Sequence, residues 1–478
     1  MYLNKILSSH EYLSSLEKPH SNPFITGISA DSNHIEEGFI FVALKGASKN
    51  SLDGHNFIQD AINKKAALIV AQQGFSITTE IPILYVEDTA KAFSFLSEAF
   101  YDWPSKKLSV IGITGTNGKT STSFMLYEIL KKAGKNPKIM GSLGMGDINN
   151  LTPLTHTTMP AAFISEQLSN FYKNGVDFVI MEVSSHALSL KRVEAINFSL
   201  VALTNITQDH LDFHGDMQAY KNAKKRLFTQ IAQNAIKILP CDNPLALDSH
   251  KFYSYAPILP IVNKNNQTCF SVKIKEELLV INLNLTGIFQ AYNAALAASM
   301  AFYLGINKTD IIMGLSHVTN ISGRFQIVKE AYEKNFMVVV DFAHTPDALI
   351  NLLKSARLLK PKKIILVFGC GGNRDQTKRK IMGEIANHNA DIIIVTDDNP
   401  RFEEPHSIRQ EILNGITDNK QVFEIADREE AIKKAILMAQ PGYLVLLAGK
   451  GHEHYQIYGE EKSYFNDYEK VIEIIGNL

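Results

Sequence analysis

Cysteine is scarce in this chain: its 478 residues include three, Cys241, Cys269 and Cys370. They lie far apart in the sequence and form no CxxC pair. This spacing argues against a disulfide framework and against a cysteine-ligated zinc site. Because free cysteines are typical of reducing compartments, we expect the protein to be cytoplasmic.

The chain also lacks long hydrophobic runs and an excess of charge of either sign. Residues 1–18 mix charges into a short apolar pattern, without the uninterrupted core of a signal peptide. Apolar runs such as Ile364–Phe368 have the length of strands, far below the ~20 residues that span a bilayer. Lys and Arg number 48 against 49 Asp and Glu, a formal charge of -1. We therefore expect no membrane insertion and no nucleic-acid partner.

What the sequence does contain is a repeated alternation of strand-like apolar runs and helical patterns. This alternation is typical of α/β folds with largely parallel sheets, and the length predicts about three domains. We expect boundaries after the strand that ends at Val86 and at the turn Ser322–Arg324. The predicted domains are a smaller N-terminal α/β domain at 1–88, a central domain with a P-loop-type, mostly parallel sheet and helices at 89–323, and a C-terminal Rossmann-like α/β domain at 324–478.

The most informative motif is TGTNGKT at residues 114–120. It follows a strand-like run and precedes a helical pattern, which predicts a glycine-rich turn between a strand and a helix. Backbone N–H groups of such a turn bind phosphate oxygens, Lys119 can reach the β- and γ-phosphates, and Thr120 can ligate Mg²⁺. Ile113 stands where the strict Walker pattern has glycine, so the motif is a variant. A plain glycine turn, the alternative, would not require Lys and Thr after the last glycine.

Acidic and histidine residues follow two further strand-like runs. Glu182 lies near the end of the apolar run 177–183, and a buried carboxylate is costly unless it is paired or bound to metal. We therefore predict Glu182 as a Mg²⁺ ligand, with the capping of a neighbouring helix as the alternative. The run at 200–205 is followed by two aspartates and two histidines within 209–214. These suit either metal or phosphate, and their spacing does not choose between the two.

Four strand-like runs of the last third are each followed by polar residues with glycine or proline. The segments that follow these runs are 343–346, 369–375, 397–401 and 449–453. In an open parallel sheet, the loops at the carboxyl ends of neighbouring strands share one edge, where ligands bind. Each loop alone has a simpler explanation, because loops are polar where they are solvated. Four such loops in one domain predict a binding site.

Seven motifs in order resemble those of the Mur ligases of peptidoglycan synthesis: TGTNGKT, MEVSSHAL, TNITQDHLDFHG, DFAHTPDAL, FGCGGNRD, DDNPR and AGKGHE. The resemblance covers essentially the whole chain. Within the family, the motifs are similar to those of the type that adds diaminopimelate. TGTNGKT alone is shared with folylpolyglutamate synthases, but the ordered set is specific.

The resemblance implies ATP-dependent amide-bond synthesis through an acyl phosphate. The implied substrates are ATP, UDP-N-acetylmuramoyl-L-alanyl-D-glutamate and meso-diaminopimelate, and we expect a monomer. Phosphorylation of the D-glutamyl carboxylate removes its repulsion of nucleophiles and supplies a leaving group. Mg²⁺ and Lys119 would neutralise the charge that develops.

The resemblance also assigns residues to the ATP and metal sites. The implied ATP-binding residues are Gly115, Thr116, Asn117, Gly118, Lys119, Thr120, Ser121, Asn293, Arg324, Asp341 and His344. The implied ligands of two Mg²⁺ ions are Thr120, Glu182, His210 and Lys224, of which the last three are also implied catalytic residues together with Lys119. Lys224 matches the family's carbamylated lysine, in which CO₂ converts a cationic amine into an anionic carbamate. Without the resemblance, Lys224 would be interpreted as a solvated helix residue.

Two further groups of residues match substrate contacts of the family. The implied contacts of the UDP-muramoyl peptide are Ser32, Gly46, Thr157, Thr158, Ser184 and Arg192. The implied contacts of diaminopimelate are Arg374, Asp398, Asn399, Pro400, Arg401, Gly449 and Glu453. Glu453 is expected to receive the distal ammonium group and Arg401 the distal carboxylate.

The sequence departs from the family pattern at three places, all among the implied contacts of the nucleotide-linked substrate. Asn33 stands where the family has Arg after Asp-Ser, Ala47-Ser48 replace a more polar pair, and Leu190 stands where close relatives have Gln.

Three alternatives remain at this point. The lysine-adding version of the same enzyme differs in one substrate. A folylpolyglutamate synthase would lack a comparable uridine-binding N-terminal domain. A scaffold that uses ATP as a structural ligand would show no substrate-dependent phosphate release.

Overall fold

The computed structural model describes residues 1–46, 52–248, 252–264, 267–417 and 421–478. The chain divides into two compact units. The first unit consists of Met1–Thr114, Lys135–Ala202 and Asn222–Lys237, and the second of Gly115–Gly134, Leu203–Lys221 and Ile238–Leu478. No helix within the described ranges has the length and apolarity needed to span a membrane.

The described segments contain strands and helices in alternation. The strands are β1 Gly27–Ser29, β2 Phe39–Val42, β3 Leu68–Gln72, β4 Ile83–Val86, β5 Ser109–Thr114, β6 Pro137–Gly141, β7 Gly144–Asp147, β8 Asn150–Thr152, β9 Phe178–Glu182, β10 Phe198–Leu203, β11 Ile236–Pro240, β12 Tyr253–Tyr255, β13 Ile258–Lys264, β14 Gln267–Ile274, β15 Glu277–Leu283, β16 Gln326–Val328, β17 Met337–Asp341, β18 Ile364–Phe368, β19 Ile392–Val395, β20 Gln421–Glu424, β21 Leu444–Ala448, β22 Tyr455–Tyr458 and β23 Glu461–Tyr464. The α-helices are α1 Leu3–Leu7, α2 Glu11–Ser14, α3 Ile58–Asn63, α4 Thr89–Phe100, α5 Lys119–Lys132, α6 Ala161–Lys173, α7 Ser185–Ser189, α8 Leu211–His214, α9 Met217–Arg226, α10 Ile288–Tyr303, α11 Lys308–His317, α12 Pro346–Leu358, α13 Lys378–Asn389, α14 Pro405–Leu413, α15 Arg428–Met438 and α16 Asp467–Gly476.

The first unit begins with a parallel sheet in the order β1-β2-β3-β4. Residues of β2 and β3 are buried against apolar side chains on both faces, which explains their continuous apolar sequences. Helix α4 follows, capped by Asp88, whose side chain accepts a hydrogen bond from Lys91 N.

Six strands of the first unit follow the order β10-β5-β9-β6-β7-β8 in a second sheet. Strands β5, β9 and β6 are parallel, and β7 and β8 add to them in antiparallel fashion. The register pairs Ile113 of β5 with Glu182 of β9. Glu182 therefore lies at the carboxyl end of a strand that neighbours β5, the strand that leads into TGTNGKT.

The second unit contains α5 packed against α10 and α11. It also contains a three-stranded antiparallel sheet, β13-β14-β15, which the sequence analysis did not predict. Strands β11 and β12 form a parallel pair.

The C-terminal part of the second unit is a six-stranded sheet in the order β16-β17-β21-β18-β19-β20. All its pairs are parallel except β16 with β17. Separate hydrophobic clusters cover its two faces. Thr345 caps α12 and Pro346 begins it. The four strands predicted to carry binding loops are adjacent, so the predicted α/β fold class is confirmed. The boundaries at 88 and 323 stay a prediction.

Candidate functional site

The phosphate loop takes a backbone path that requires glycine. Gly115 and Gly118 have φ values of 148° and 88°, in a region that L side chains rarely adopt. A Cβ atom added to Gly115 would lie 1.8 Å from Thr204 Oγ1, and one added to Gly118 would lie 2.3 Å from Asn293 Oδ1. The two glycines therefore allow both the turn and the close approach of polar side chains.

Segment 204–207 braces this loop through several hydrogen bonds. Asn117 N donates to Asn205 Oδ1 at 3.0 Å, and Thr207 N donates to Thr116 Oγ1 at 3.0 Å. Lys119 Nζ donates to the carbonyl oxygens of Gly115 and Thr116, both at 2.9 Å. The lysine thus folds over its own loop at the N-terminus of α5, where the helix dipole favours an anion.

Three more of the predicted ATP-binding residues, Asn293, Arg324 and Asp341, lie in this region. Asn293 and Arg324 lie beside the phosphate loop, and Asp341 lies beside Arg324. Asn293 of α10 contacts Gly118, as the distance above shows. Arg324 Nη2 donates to Thr120 Oγ1 at 3.3 Å, and its guanidinium lies 4.6 Å from the centroid of the Phe342 ring. Asp341 ends β17 and accepts hydrogen bonds from two backbone N–H groups. Burial raises the pKa of Asp341, although the charge of Arg324 opposes this.

Asp209 is a residue that the sequence analysis noticed but did not assign. Its Oδ1 accepts from His210 N at 2.9 Å, and its Oδ2 lies 3.3 Å from His210 Nε2 and 3.9 Å from His344 Nε2. Burial alone would raise the pKa of Asp209, but the nearby imidazoles of His344 and His210 and the charge of Lys378 outweigh burial and hold this pKa far below its usual range. This buried carboxylate thus lies between a predicted metal ligand and a predicted ATP contact.

In the first unit, Glu182 is buried, with 1% of its surface exposed. Its Oε1 accepts from Ser142 N at 3.1 Å and its Oε2 from Ser142 Oγ at 3.0 Å. A Cβ added to Gly141 would lie 2.2 Å from Glu182 Oε1, so glycine makes room for the carboxylate. These contacts come from the turn after β6 and do not cap a helix.

The structure brings all four predicted muramoyl-peptide contacts of this region together around Glu182. Thr158 Oγ1 donates to the carbonyl oxygen of Glu182 at 2.8 Å and accepts from Ser184 N at 3.0 Å. Arg192 Nη1 donates to the carbonyl oxygen of Thr158 at 2.7 Å, and burial lowers the pKa of this guanidinium. Thr157 contacts Ser142, whose hydroxyl oxygen lies 3.1 Å from that of Thr157.

The predicted uridine contact Ser32 begins a short 3₁₀ turn, Ser32–His34, which Asp31 caps. Lys64 Nζ donates to the carbonyl oxygens of Ser32 at 2.8 Å and Asn33 at 3.2 Å. The amine of Lys64 therefore lies at the turn in which Asn33 replaces the arginine of the family. Gly46 is the last described residue before 47–51, so the departures at 47 and 48 lie outside the described residues.

Lys224 on α9 is buried, with 1% of its surface exposed, so the unaided interpretation as a solvated residue was wrong. Glu182 and Lys224 belong to the first unit, whereas Thr120 and His210 belong to the second. Within the described parts of the chain, no three His, Cys, Asp or Glu residues are placed to hold a metal ion together.

The loops after β18, β19 and β21 converge, as the sequence predicted. Gly372 N donates to the carbonyl oxygen of Asn399 at 2.9 Å, and Arg401 Nη1 donates to that of Gly372 at 2.9 Å. Asn399 Nδ2 donates to Glu453 Oε2 at 2.9 Å. A Cβ added to Gly449, which follows β21, would lie 2.8 Å from Asp398 Oδ2.

Arg401 is held by the hairpin of β22 and β23. Its φ is 54°, its N donates to the carbonyl oxygen of Ile457 at 3.1 Å, and its own carbonyl oxygen accepts from Gly459 N at 2.7 Å. Burial lowers the pKa of Arg401, and the nearby charge of Arg374 lowers it further. Among the described residues, Nε and Nη2 of Arg401 have no hydrogen-bond partner, so this edge of the guanidinium is available to a ligand.

Glu453 has two partners that the sequence analysis missed. Lys450 Nζ, which is fully buried, lies 3.2 Å from Glu453 Oε2, and Tyr455 OH donates to Oε1 at 3.3 Å. Lys450 stands in the AGKGHE motif, which was the available signal. Burial would raise the pKa of Asp398, but Lys450 and the neighbouring arginines outweigh burial and lower it.

Comparison with known proteins supports the same family. Residues 113–301 match the Mur ligase middle domain, and residues 323–451 match the Mur ligase glutamate ligase domain. The chain is 38% identical over 462 residues to a UDP-N-acetylmuramoyl-L-alanyl-D-glutamate–2,6-diaminopimelate ligase of Aquifex aeolicus, covering 95% of this chain and 94% of that relative. A ligase of the same description from Geobacillus thermodenitrificans is 36% identical over 93% of this chain and 94% of its own length.

A solved structure supports the assignment as well. The structure of a UDP-N-acetylmuramoyl-L-alanyl-D-glutamate–2,6-diaminopimelate ligase is 29% identical and covers 95% of both chains, with a TM-score of 0.64. The family resemblance predicted from the motifs is confirmed. The chain therefore belongs to the Mur ligase family of ATP-dependent peptide ligases.

Proposed function

We propose that this protein adds meso-diaminopimelate to UDP-N-acetylmuramoyl-L-alanyl-D-glutamate in the synthesis of peptidoglycan precursors. The observation that carries this proposal is the charge pattern of the amino-acid pocket. Asn399 joins Arg401 to Glu453, because its carbonyl oxygen accepts from Arg401 Nη1 at 3.3 Å and its Nδ2 donates to Glu453 Oε2 at 2.9 Å. The charge of Arg374 acts on the same guanidinium of Arg401. An amino acid with both a distal carboxylate and a distal ammonium group matches this pattern of charge. The Mur ligases of Aquifex and Geobacillus described above act on diaminopimelate, which agrees with it.

The reaction has two steps. An oxygen of the D-glutamyl carboxylate attacks the γ-phosphorus of ATP, which releases ADP and forms an acyl phosphate. The amine of diaminopimelate then attacks the acyl carbon, inorganic phosphate leaves with the bonding electron pair, and the amine loses a proton. The phosphate loop and Lys119 stabilise the negative charge that develops during phosphoryl transfer.

The residues proposed to bind ATP lie in the phosphate loop, beside it, and at the end of β17. Backbone N–H groups of 115–121 would hold the phosphates at the start of α5. Arg324 lies at Thr120, and Asn293 lies at Gly118. Asp341 and His344 extend this surface at the end of β17, where a ribose and the terminal phosphate would be held.

The proposed Mg²⁺ ligands provide suitable donor atoms. Thr120 and Glu182 supply oxygen atoms, which Mg²⁺ prefers, and His210 supplies an imidazole nitrogen. Lys224 as an ammonium group does not fit a cation site, but a carbamate at this buried position would be an anion with oxygen donors. We propose two ions and a carbamate at Lys224. When bound, Mg²⁺ neutralises phosphoryl oxygens and so lowers the barrier to attack by an anion.

The muramoyl peptide is proposed to bind at Thr157, Thr158, Ser184 and Arg192, which surround Glu182. The uridine is proposed to bind at Ser32 and Gly46 in an N-terminal domain, 1–88. The central domain would then be 89–323 and the amino-acid domain 324–478. We further propose that the protein acts as a cytoplasmic monomer.

The diaminopimelate contacts proposed in the third domain have distinct roles. The unpaired edge of Arg401, supported by Arg374, receives the distal carboxylate, and Glu453 receives the distal ammonium group. Asn399 holds Glu453 in place by its hydrogen bond. Asp398, Pro400 and Gly449 complete the wall of the pocket. Lysine lacks the distal carboxylate and would leave the guanidinium groups facing no anion, which disfavours the lysine-adding alternative.

Phosphate release tests this proposal. The purified protein is supplied with ATP, Mg²⁺ and the UDP-muramoyl dipeptide, and then with diaminopimelate, lysine or ornithine in turn. We expect rapid release with diaminopimelate and at least ~10²-fold lower kcat/KM with lysine. Equal use of lysine would contradict the specificity, and release that is independent of every amino acid would contradict the ligase activity. The Lys119→Ala variant controls for contaminating ATPases.

A further inference from the structure

A buried arginine outside the proposed contacts joins two of the binding loops. Arg379 lies on α13 and is fully buried. Its Nη2 donates to Glu403 Oε2 at 2.8 Å, and its Nη1 donates to Glu411 Oε2 at 3.1 Å. Nη2 also donates to the carbonyl oxygen of Gly371 at 3.3 Å. A single guanidinium therefore contacts the loop after β18, the loop after β19 and helix α14.

Glu403 also forms hydrogen bonds with residues that follow β18. Its carboxylate accepts from the backbone N of Asn373 and from Gln376 Nε2, the latter at 3.3 Å. In the opposite direction, Asn373 Oδ1 accepts from Phe402 N at 3.0 Å. The Arg379–Glu403 ion pair thus fixes the two loops to each other through both backbone and side-chain atoms.

These loops are the ones that carry the two guanidinium groups of the amino-acid pocket. Arg374 follows Asn373, and Arg401 precedes Glu403 by two residues. Asn373 and Arg401 both have left-handed φ values, 51° and 54°, which L residues adopt rarely and which neighbours must maintain. The two like charges also repel each other. The Arg379–Glu403 ion pair is a clamp that opposes this repulsion, together with the direct contacts of Gly372 with Arg401 and Asn399.

We propose that the Arg379–Glu403 ion pair positions Arg374 and Arg401 and thereby sets the preference of this pocket for an amino acid with a second carboxylate. The inference rests on the proposed function, because it concerns the same pocket. Neither Arg379 nor Glu403 touches the substrate in this account. Both act through the loops that they hold, so they are positioning residues.

Glu411 provides a matched control. It binds the same buried guanidinium, but it lies on α14 and makes no hydrogen bond to either loop in the described structure. Loss of Glu411 removes a carboxylate from Arg379 without releasing the clamp. Any general effect of disturbing a buried arginine should therefore appear equally in Glu411→Gln and Glu403→Gln, whereas an effect on substrate choice should appear in Glu403→Gln alone.

The test measures KM for each of the three substrates, kcat, and melting temperature. In Glu403→Gln, an amide N–H₂ group would face Arg379 at nearly constant side-chain volume. We expect KM for diaminopimelate to rise about 10-fold or more, with KM for ATP and for the UDP-muramoyl dipeptide changed less than about twofold. The ratio of kcat/KM for diaminopimelate to that for lysine should fall by a similar factor. Glu411→Gln should change neither quantity by more than about twofold.

Several results would overturn the inference. One is an equal rise of all three KM values in Glu403→Gln, and another is the same loss of preference in Glu411→Gln. Should Glu403→Gln fail to fold, Arg379→Gln serves instead, because it removes the cation that pairs with Glu403. An unchanged preference for diaminopimelate in Arg379→Gln would refute the inference. Wild-type protein that does not prefer diaminopimelate would contradict the proposed function itself. Wild-type preference that survives Glu403→Gln would contradict the clamp alone.

Discussion

Glu98 predicts a pH dependence of stability that can be worked out from its surroundings. This residue of α4 is fully buried. Ser105 Oγ donates to its Oε2 at 2.6 Å, and Ser165 Oγ donates to its Oε1 at 3.0 Å. Burial raises the pKa of Glu98 from 4.5 to about 7, although the hydrogen bonds from the two serines oppose the shift.

The sign follows from the two pKa values. Below pH 4.5, the carboxyl is protonated in both the folded and the unfolded chain, and it contributes no pH dependence. Between pH 4.5 and about 7, the unfolded chain loses the proton while the folded chain keeps it, so stability falls as pH rises. At 1.36 kcal/mol per pH unit, this interval corresponds to a loss of about 3 kcal/mol. Above pH 7 the contribution becomes constant.

The substitution that tests this is Glu98→Gln, which keeps one hydrogen-bond acceptor and adds N–H donors for the serines. Urea unfolding of the variant and the wild type is measured from pH 5 to pH 8. We expect the variant to gain about 3 kcal/mol relative to wild type across this range, because only the wild type loses stability. The exposed Glu17, changed to Gln, controls for the loss of a charge. A difference between Glu98→Gln and wild type that does not vary with pH would refute the reasoning.

Three further predictions concern the proposed site. Lys119→Ala should lower the rate of phosphate release on the order of 10²- to 10³-fold while the circular dichroism spectrum stays unchanged, because the variant lacks the ammonium group that stabilises the transferring phosphate. A variant that keeps more than half the wild-type rate would contradict this prediction. Lys224→Ala should be nearly inactive and should regain partial activity with a short carboxylic acid that replaces the carbamate; mass spectrometry that finds unmodified lysine in active protein would oppose it. Arg401→Ala should lower kcat/KM for diaminopimelate by at least ~10²-fold and that for lysine much less; equal losses would show that Arg401 does not recognise the second carboxylate.

The parts of the fold that sequence could predict are those with local signals. TGTNGKT needs glycine at fixed positions of a tight turn, and those positions have the expected backbone geometry. Strands β17, β18, β19 and β21 are buried on both faces and therefore appear as uninterrupted apolar runs. Polar residues after such runs indicate a shared edge, and the loops after β18, β19 and β21 do meet there.

The remaining features depend on contacts between distant segments, which no local pattern reports. The polar sequence of α9 gives no sign that Lys224 is buried. In the sequence, Arg379 is one of several basic residues in its segment. Its ion pairs are with Glu403 and Glu411, which lie 24 and 32 positions later, so no local pattern indicates them. Lys450 lies in the AGKGHE motif, but the motif does not report its contacts with Asn399 and Glu453.

A competition between amino acids in one reaction measures the substrate preference of the protein. The protein is incubated with ATP, Mg²⁺, the UDP-muramoyl dipeptide and an equimolar mixture of diaminopimelate, lysine and ornithine, and the products are identified by mass spectrometry. The pocket that we propose around Arg374, Arg401 and Glu453 predicts essentially one product, the UDP-muramoyl tripeptide that ends in diaminopimelate. Comparable amounts of the lysine product, or no tripeptide at all, would contradict the account.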